Sequence, residues 1–311
     1  MRYRLLFICL FIFCSAAAQK KPPIKGTWVT NVASDALRSE KTIRATVANC
    51  KKNGLNNIFV VVWNGGVTMY PSQVLQRYIG IQQDTVYKGF DPIGCIVKEA
   101  RKAGLKVHAW FEFGFAYAYK DTNSIWLKKY PHWAGRKNDG SLLVKNGFYW
   151  WNSLHPEPQQ FISELVLEVV NKYKVDGIQG DDRLPAMPAE GGYDEYTRNL
   201  YARDHNGAGL PANPKDKNFI EWKALQLSVF AKTLYYRIKK EKPACLVTWA
   251  PSIYPWSRDE YLQNWPQWLN GGYADYIIPQ LYRYKIDAYE KVLKELSNML
   301  PETQRHKVFP G

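Results

Sequence analysis

Short apolar runs alternate with amphipathic stretches along this chain. Residues 27–32 (TWVTNV) read as a first strand, and residues 40–53 as a helix stopped by Gly54. Residues 57–63 (NIFVVVW) form a near-continuous apolar run, the pattern of a strand buried on both faces. Asp91-Pro92 opens the next helix, with proline at the favoured first helical position, and Gly104 ends it. Further strands are predicted over 105–111 (LKVHAWF), 175–180, 244–250 and 274–281, and residues 306–309 begin a seventh. Helices are predicted over 158–173, 219–240, 258–269 and 286–299, while 113–155 and 183–215 read as long loops.

Strand followed by helix, repeated, implies a parallel sheet with helices outside it. The connections are also asymmetric. Those from helix to strand are short, whereas those leaving the strands are long and rich in aromatic residues. Barrel enzymes build their sites on the loops at the C-terminal ends of their strands. The rival, a doubly wound open sheet, lacks the glycine-rich phosphate loop that would follow a strand. The expected fold is therefore α/β, a TIM-type (β/α)8 barrel. Six strands and the start of a seventh fall short of eight, so the barrel is expected to be truncated at the start of strand 7.

The beginning of the chain departs from this pattern. Arg2 and Arg4 precede the apolar run 5–13, and Ala16-Ala17-Ala18 precedes Gln19. That order describes a secretory signal peptide over residues 1–18, leaving 19–311 as the barrel domain. The run is too short to span a bilayer. The expected location is the periplasm or cell surface, with lipid anchoring through Cys14 as the lesser alternative. No other stretch is long and apolar enough to cross a membrane.

The full chain carries 42 basic and 28 acidic residues, a formal charge of +14. Loss of residues 1–18 leaves 40 against 28, or +12. The basic residues are scattered, as on a solvated surface, and an acidic wall glycan suits such a charge. Export argues against nucleic acid as a partner. Cys50, Cys95 and Cys245 are an odd, widely spaced set, read as free thiols.

Candidate chemistry lies at the strand ends. The fourth strand runs into Asp181-Asp182, whose side chains alternate to opposite sides while the strand continues. The same alternation puts His108, Trp110 and Glu112 on one face of the third strand, with Glu112 nearest the mouth. Paired carboxylates are what glycosidic cleavage requires: one protonates the leaving oxygen, and the other attacks the anomeric carbon or activates water. Asp181, Asp182 and Glu112 are therefore the candidate catalytic residues. Trp28, Trp63, His108, Trp110, Asn152, Tyr254, Gln280 and Tyr282 are candidates for the sugar site, flat rings suiting the C–H faces of sugars. Each also has a plain structural reading: core packing for the aromatic residues, a core hydrogen bond for His108, a salt bridge to a loop Arg or Lys for Glu112, and a cap or a pair with Arg183 for Asp181-Asp182. The five histidines are dispersed, so no metal or other cofactor is expected. No Gly-x-Ser-x-Gly elbow is present.

These strings together resemble the glycosyl hydrolase-like family 10. They are Gly26-Thr27-Trp28-Val29-Thr30-Asn31, Tyr70-Pro71-Ser72, Asp91-Pro92, Val107-His108-Ala109-Trp110-Phe111, Asp176-Gly177-Ile178 with Asp181-Asp182, and Pro279-Gln280-Leu281-Tyr282. They cover about residues 25–311 in the family's order. The resemblance implies a TIM barrel of bacterial envelopes acting on a poly- or oligosaccharide. Some relatives resemble hydrolases of peptidoglycan glycan strands. Two positions depart from the family. Glu112-Phe113 stands where Asn-Pro is common, so Glu112 is a gained carboxylate or a mark of altered chemistry. Gly180 stands where an aromatic residue is common. The expected activity is glycoside hydrolysis, with a non-catalytic glycan-binding barrel as the alternative.

Overall fold

A computed structural model describes residues 23–311. The expected signal peptide, Cys14 included, lies outside the described residues.

Six parallel strands lie side by side in chain order: β1 (Gly26–Val29), β2 (Asn57–Val61), β3 (Lys106–Phe111), β4 (Gly177–Gly180), β5 (Leu246–Trp249) and β6 (Tyr276–Ile277). Sequential order with every neighbour parallel is the arrangement of a (β/α) barrel wall. A seventh strand only begins: Val308 bridges Ile277 in parallel, and Phe309 N–H donates to the Ile277 carbonyl at 2.9 Å. The sheet curls into a half-barrel. Trp28 on β1 comes so close to the end of the chain that a side chain on Gly311 would start 2.7 Å from its ring.

Helices α1 (Glu40–Lys52), α2 (Pro92–Lys102), α3 (Pro156–Tyr173), α4 (Lys217–Glu241) and α5 (Ile286–Met299) connect the strands. Their starts follow local chemistry. Ser39 and Thr42 form a capping box before α1, and the Asp91 carboxylate accepts from Gly94 N–H at α2. The apolar faces of these helices cover the outer faces of β2 to β5, which are buried on both sides.

Three predicted segments differ. The helix expected over 258–269 is two short ones, Trp256–Tyr261 and Trp265–Asn270. Leu262 adopts a left-handed conformation (φ 61°) that ends the first, and Pro266 starts the second. The loop 183–215 contains a helix, Glu195–Asp204, capped by Asp194. The excursion 113–155 folds into a three-stranded antiparallel sheet of Ala116–Tyr119, Phe148–Trp150 and Val144–Lys145. Among the described residues no helix is long and apolar enough to cross a membrane. Cys50, Cys95 and Cys245 are free.

Candidate active site

The barrel interior is identified by one hydrogen bond. Trp28 Nε1 on β1 donates to Gln179 Oε1 on β4 at 2.6 Å, reaching past β2 and β3. Both side chains must therefore lie inside the curve. Alternation then puts Gly177, Gln179 and Asp181 on the interior side of the fourth strand. Their register partners on β3 are His108, opposite Gly177, and Trp110, opposite Gln179, with Glu112 two residues further on. Asp181 and Glu112 thus meet at the mouth.

Three carboxylates converge there on one guanidinium. Arg183 Nη2 lies 3.7 Å from Glu112 Oε1 and 3.5 Å from Asp181 Oδ2. Its Nη1 lies 2.9 Å from Asp182 Oδ1 as an ion pair, without the alignment of a hydrogen bond. Arg183 Nε donates to the Glu112 main-chain carbonyl at 2.9 Å, and the guanidinium sits over the Phe148 ring at 4.7 Å. Arg183 is held by its planar fork, which lysine lacks, and by its aromatic support.

Each carboxylate has its own setting. Asp181 is buried, and Gln280 Nε2 donates to its Oδ1 at 2.6 Å. The Asp182 side chain is one-third exposed. Asn64 Nδ2 donates to Glu112 Oε2 at 2.9 Å and to Asn31 Oδ1 at 3.0 Å. Burial holds the Asp181 carboxyl well above the ordinary carboxylate range, and the charge of Asp182 adds to the effect. Burial also raises Asp182 and Glu112, with Arg183 opposing the rise at both.

A cleft of about 620 Å³ opens beside Glu112, with Asn31, Asn64, Phe113, Tyr119 and Phe148 among its walls. A separate cavity of about 530 Å³, lined by His132, Arg136, His155 and Tyr196, includes none of the three carboxylates. Among the described residues no group of three or more histidines, cysteines and carboxylates is placed to hold a metal ion.

The sequence-based candidates for the sugar site separate into two groups. Trp28, Trp110, Gln280 and Tyr282 lie in or above the interior around the carboxylates. Tyr282 is largely exposed; desolvation and then the charges of Asp181 and Asp182 push its phenol up. The other four are engaged in packing or in local hydrogen bonds. Trp63 is fully buried outside the barrel, its Nε1 donating to the Gly114 carbonyl and its ring packed on Trp126, Trp151 and Phe161. It leaves the sheet for a hairpin, Trp63–Asn64 against Val67–Thr68, which turns its ring into the excursion's aromatic core. His108 is sealed below Trp110, stacked on Phe59 with Nε2 2.8 Å from Asn57 Oδ1. Burial lowers its pKa to about 4, so it is neutral. Asn152 is buried and donates to Asp194 and Thr197, pinning the helix Glu195–Asp204. Tyr254 accepts from Arg258 Nη1 at 2.8 Å and packs on Trp265.

Sequence reasoning left out Arg183, Asn64 and Gln179 as site residues. Arg183 directly follows the aspartate pair, and Asn64 ends the apolar run of the second strand. Those positions were the available signals. The glycine at position 180 also has a cause. A Cβ there would meet the Leu184 carbonyl at 2.4 Å and the Trp249 ring at 2.6 Å.

Comparison with known proteins gives the family and the fold. The model of the family "Glycosyl hydrolase-like 10" matches residues 23–308. The chain is 24% identical over 281 residues to glycosyl hydrolase DigH of Escherichia coli K12, covering 84% of this chain and 62% of that protein. It is 22% identical over 304 residues to glycosyl hydrolase YngK of Bacillus subtilis 168, covering 86% and 55%. It thus spans less than two thirds of the length of these relatives. Among solved structures it is similar to a Paenibacillus cycloisomaltooligosaccharide glucanotransferase (TM-score 0.53, 13% identity, 88% of this chain and 37% of that one). It is also similar to a Flavobacterium johnsoniae chitobiase (TM-score 0.52, 12% identity, 88% and 36%). At such identities these structures speak for the fold alone, while the family match spans nearly every described residue. The chain belongs to the glycosyl hydrolase-like 10 family.

Proposed function

We propose that this protein is an exported glycoside hydrolase that cleaves a bacterial cell-wall glycan. One observation carries the reading: carboxylates from the ends of β3 and β4 converge on a single guanidinium at the mouth. Three ionised carboxylates against one Arg183 would leave excess negative charge in a desolvated recess. Protons are therefore retained in the recess, and a protonated carboxyl at the mouth is the general acid a glycosidase needs. Glu112 borders the cleft and is the donor to the leaving oxygen. Asp182, ionised beside Arg183 at 2.9 Å, attacks the anomeric carbon or activates water. The basic surface suits an anionic wall polymer.

The test is release of reducing ends from peptidoglycan glycan strands stripped of peptides, by the wild type and by Glu112→Gln, Asp181→Asn and Asp182→Asn. Losses of at least about a hundredfold in kcat are expected for Glu112→Gln and for Asp182→Asn. Wild-type rates in all three would end the proposal. Every carboxylate of the recess also touches Arg183, and this favours a second reading, a glycan-binding barrel without turnover. Binding of the same strands with no release of reducing ends decides for it.

A further inference from the structure

One pleat below the carboxylates, the interior holds two donors with nothing to donate to. Trp110 Nε1 and Gln179 Nε2 are both buried and both lack a hydrogen-bond partner. They belong to register partners on the adjacent strands β3 and β4. The orientation of the Gln179 amide is fixed chemically. An indole N–H can only donate, and Trp28 gives its own to Gln179 Oε1 at 2.6 Å. The carbonyl end is therefore taken, and the NH2 end is the free one. Trp110 likewise has only a proton to offer.

Buried donors left unmatched cost stability, and in native proteins they call for an explanation. Here two occur at the same level, on the same interior face, beneath Glu112 and Asp181. We propose that Trp110 Nε1 and Gln179 Nε2 form a two-donor floor that grips an sp2 oxygen on the sugar bound between those carboxylates. That oxygen is the carbonyl of an acylamino group or a carboxylate oxygen of an acidic sugar. Such an oxygen accepts two N–H bonds and has no proton of its own to place. A hydroxyl would bring a proton that neither floor group can accept. The inference rests on the glycan-hydrolase reading for the sugar's position, and it adds the substituent that the site selects.

The test is calorimetric binding of chitotetraose, tetragalacturonate and cellotetraose to the full chain. These carry an acetamido carbonyl, a carboxylate and hydroxyls only. The wild type is compared with Trp110→Phe and Gln179→Met, each checked for folding by circular dichroism. The wild type is expected to prefer chitotetraose or tetragalacturonate over cellotetraose, and the preferred ligand identifies the substituent. Trp110→Phe and Gln179→Met should each weaken that ligand by about three- to tenfold, one hydrogen bond's worth, and cellotetraose by less than about twofold. Trp110→Phe carries the test alone where Gln179→Met fails to fold. Equal losses on all three ligands, or no loss on any, would overturn the floor. Reducing-end release separates the two ideas. Turnover with unresponsive variants removes the floor and leaves the hydrolase. Selective loss of binding without turnover removes the hydrolase and leaves the floor. No binding of any of the three ligands overturns both.

Discussion

Gln280 Nε2 donates to Asp181 Oδ1 at 2.6 Å and to the Ala250 carbonyl at 3.0 Å, so one amide ties together the ends of β4, β5 and β6. The bond fixes the buried carboxylate while Arg183, at 3.5 Å, stands too far to neutralise it well. Asp181 is thus kept in place at an energetic disadvantage, as functional residues often are.

The disadvantage has a sign and a window. Burial raises the Asp181 pKa in the folded state, so the native chain keeps a proton that the unfolded chain has already released. Stability therefore falls as pH rises from the ordinary carboxylate value through the raised one. Asp181→Asn removes this loss and keeps an oxygen for Gln280. The variant should be more stable than the wild type near neutral pH. The two proteins should converge in acid. Urea midpoints across that range measure it, and a variant less stable than the wild type at neutral pH would count against the buried-charge account.

The sequence carried the strand order and the interior face, but not the destination of every aromatic residue. Period-two alternation in LKVHAWF placed His108, Trp110 and Glu112 on one face, and the register agrees. Trp63 looked equivalent to Trp110 because both end apolar strands. What separates them is the Trp63–Asn64 hairpin, which turns one ring out of the barrel, and hairpin geometry is not written in hydrophobic period. The setting of Asn152 is hidden from the sequence for a similar reason. Its partners Asp194 and Thr197 are more than forty residues away in sequence, on a helix hidden in a stretch rich in glycine and proline. Arg183 was visible beside the aspartates, but its reach back to the Glu112 carbonyl exists only once β3 and β4 are neighbours.

Gly180 makes the approach to the aspartate pair sterically exacting. Its backbone is ordinary extended strand; the constraint is space, with the Leu184 carbonyl and the Trp249 ring where a side chain would go. Leu184 N–H in turn donates to the Asp181 carbonyl at 3.0 Å, closing the turn that presents Asp182 and Arg183. Gly180→Ala should therefore force this turn outward. The expected cost is about 1–3 kcal/mol of stability, the usual range for overpacking, with a larger proportional loss in kcat/KM. Denaturant unfolding and reducing-end assays on the same preparation check both. Wild-type stability in the variant would mean that the turn relaxes without strain.

Lys223 offers a titration remote from the carboxylates and opposite in sign. It is fully buried on α4, with Nζ donating to the carbonyls of Ala189 (2.5 Å) and Gly191 (3.0 Å) and sitting 4.0 Å from the centre of the Phe219 ring. Burial lowers its pKa to about 7 from an ordinary 10.5, with the Glu190 charge opposing. Between those values the unfolded chain binds the proton that the native state has released. Stability conferred through this group must rise with pH across the window and level off above it. Lys223→Met deletes the titration but keeps the aliphatic volume. Relative to the variant, the wild type should gain up to ~1.4 kcal/mol for each pH unit within the window. The loop through Ala189 and Gly191 should also lose amide-exchange protection in the variant, since its carbonyls lose their shared donor. Unfolding midpoints that run parallel for the two proteins from about pH 7.5 to about pH 9.5 would show that Lys223 does not titrate there.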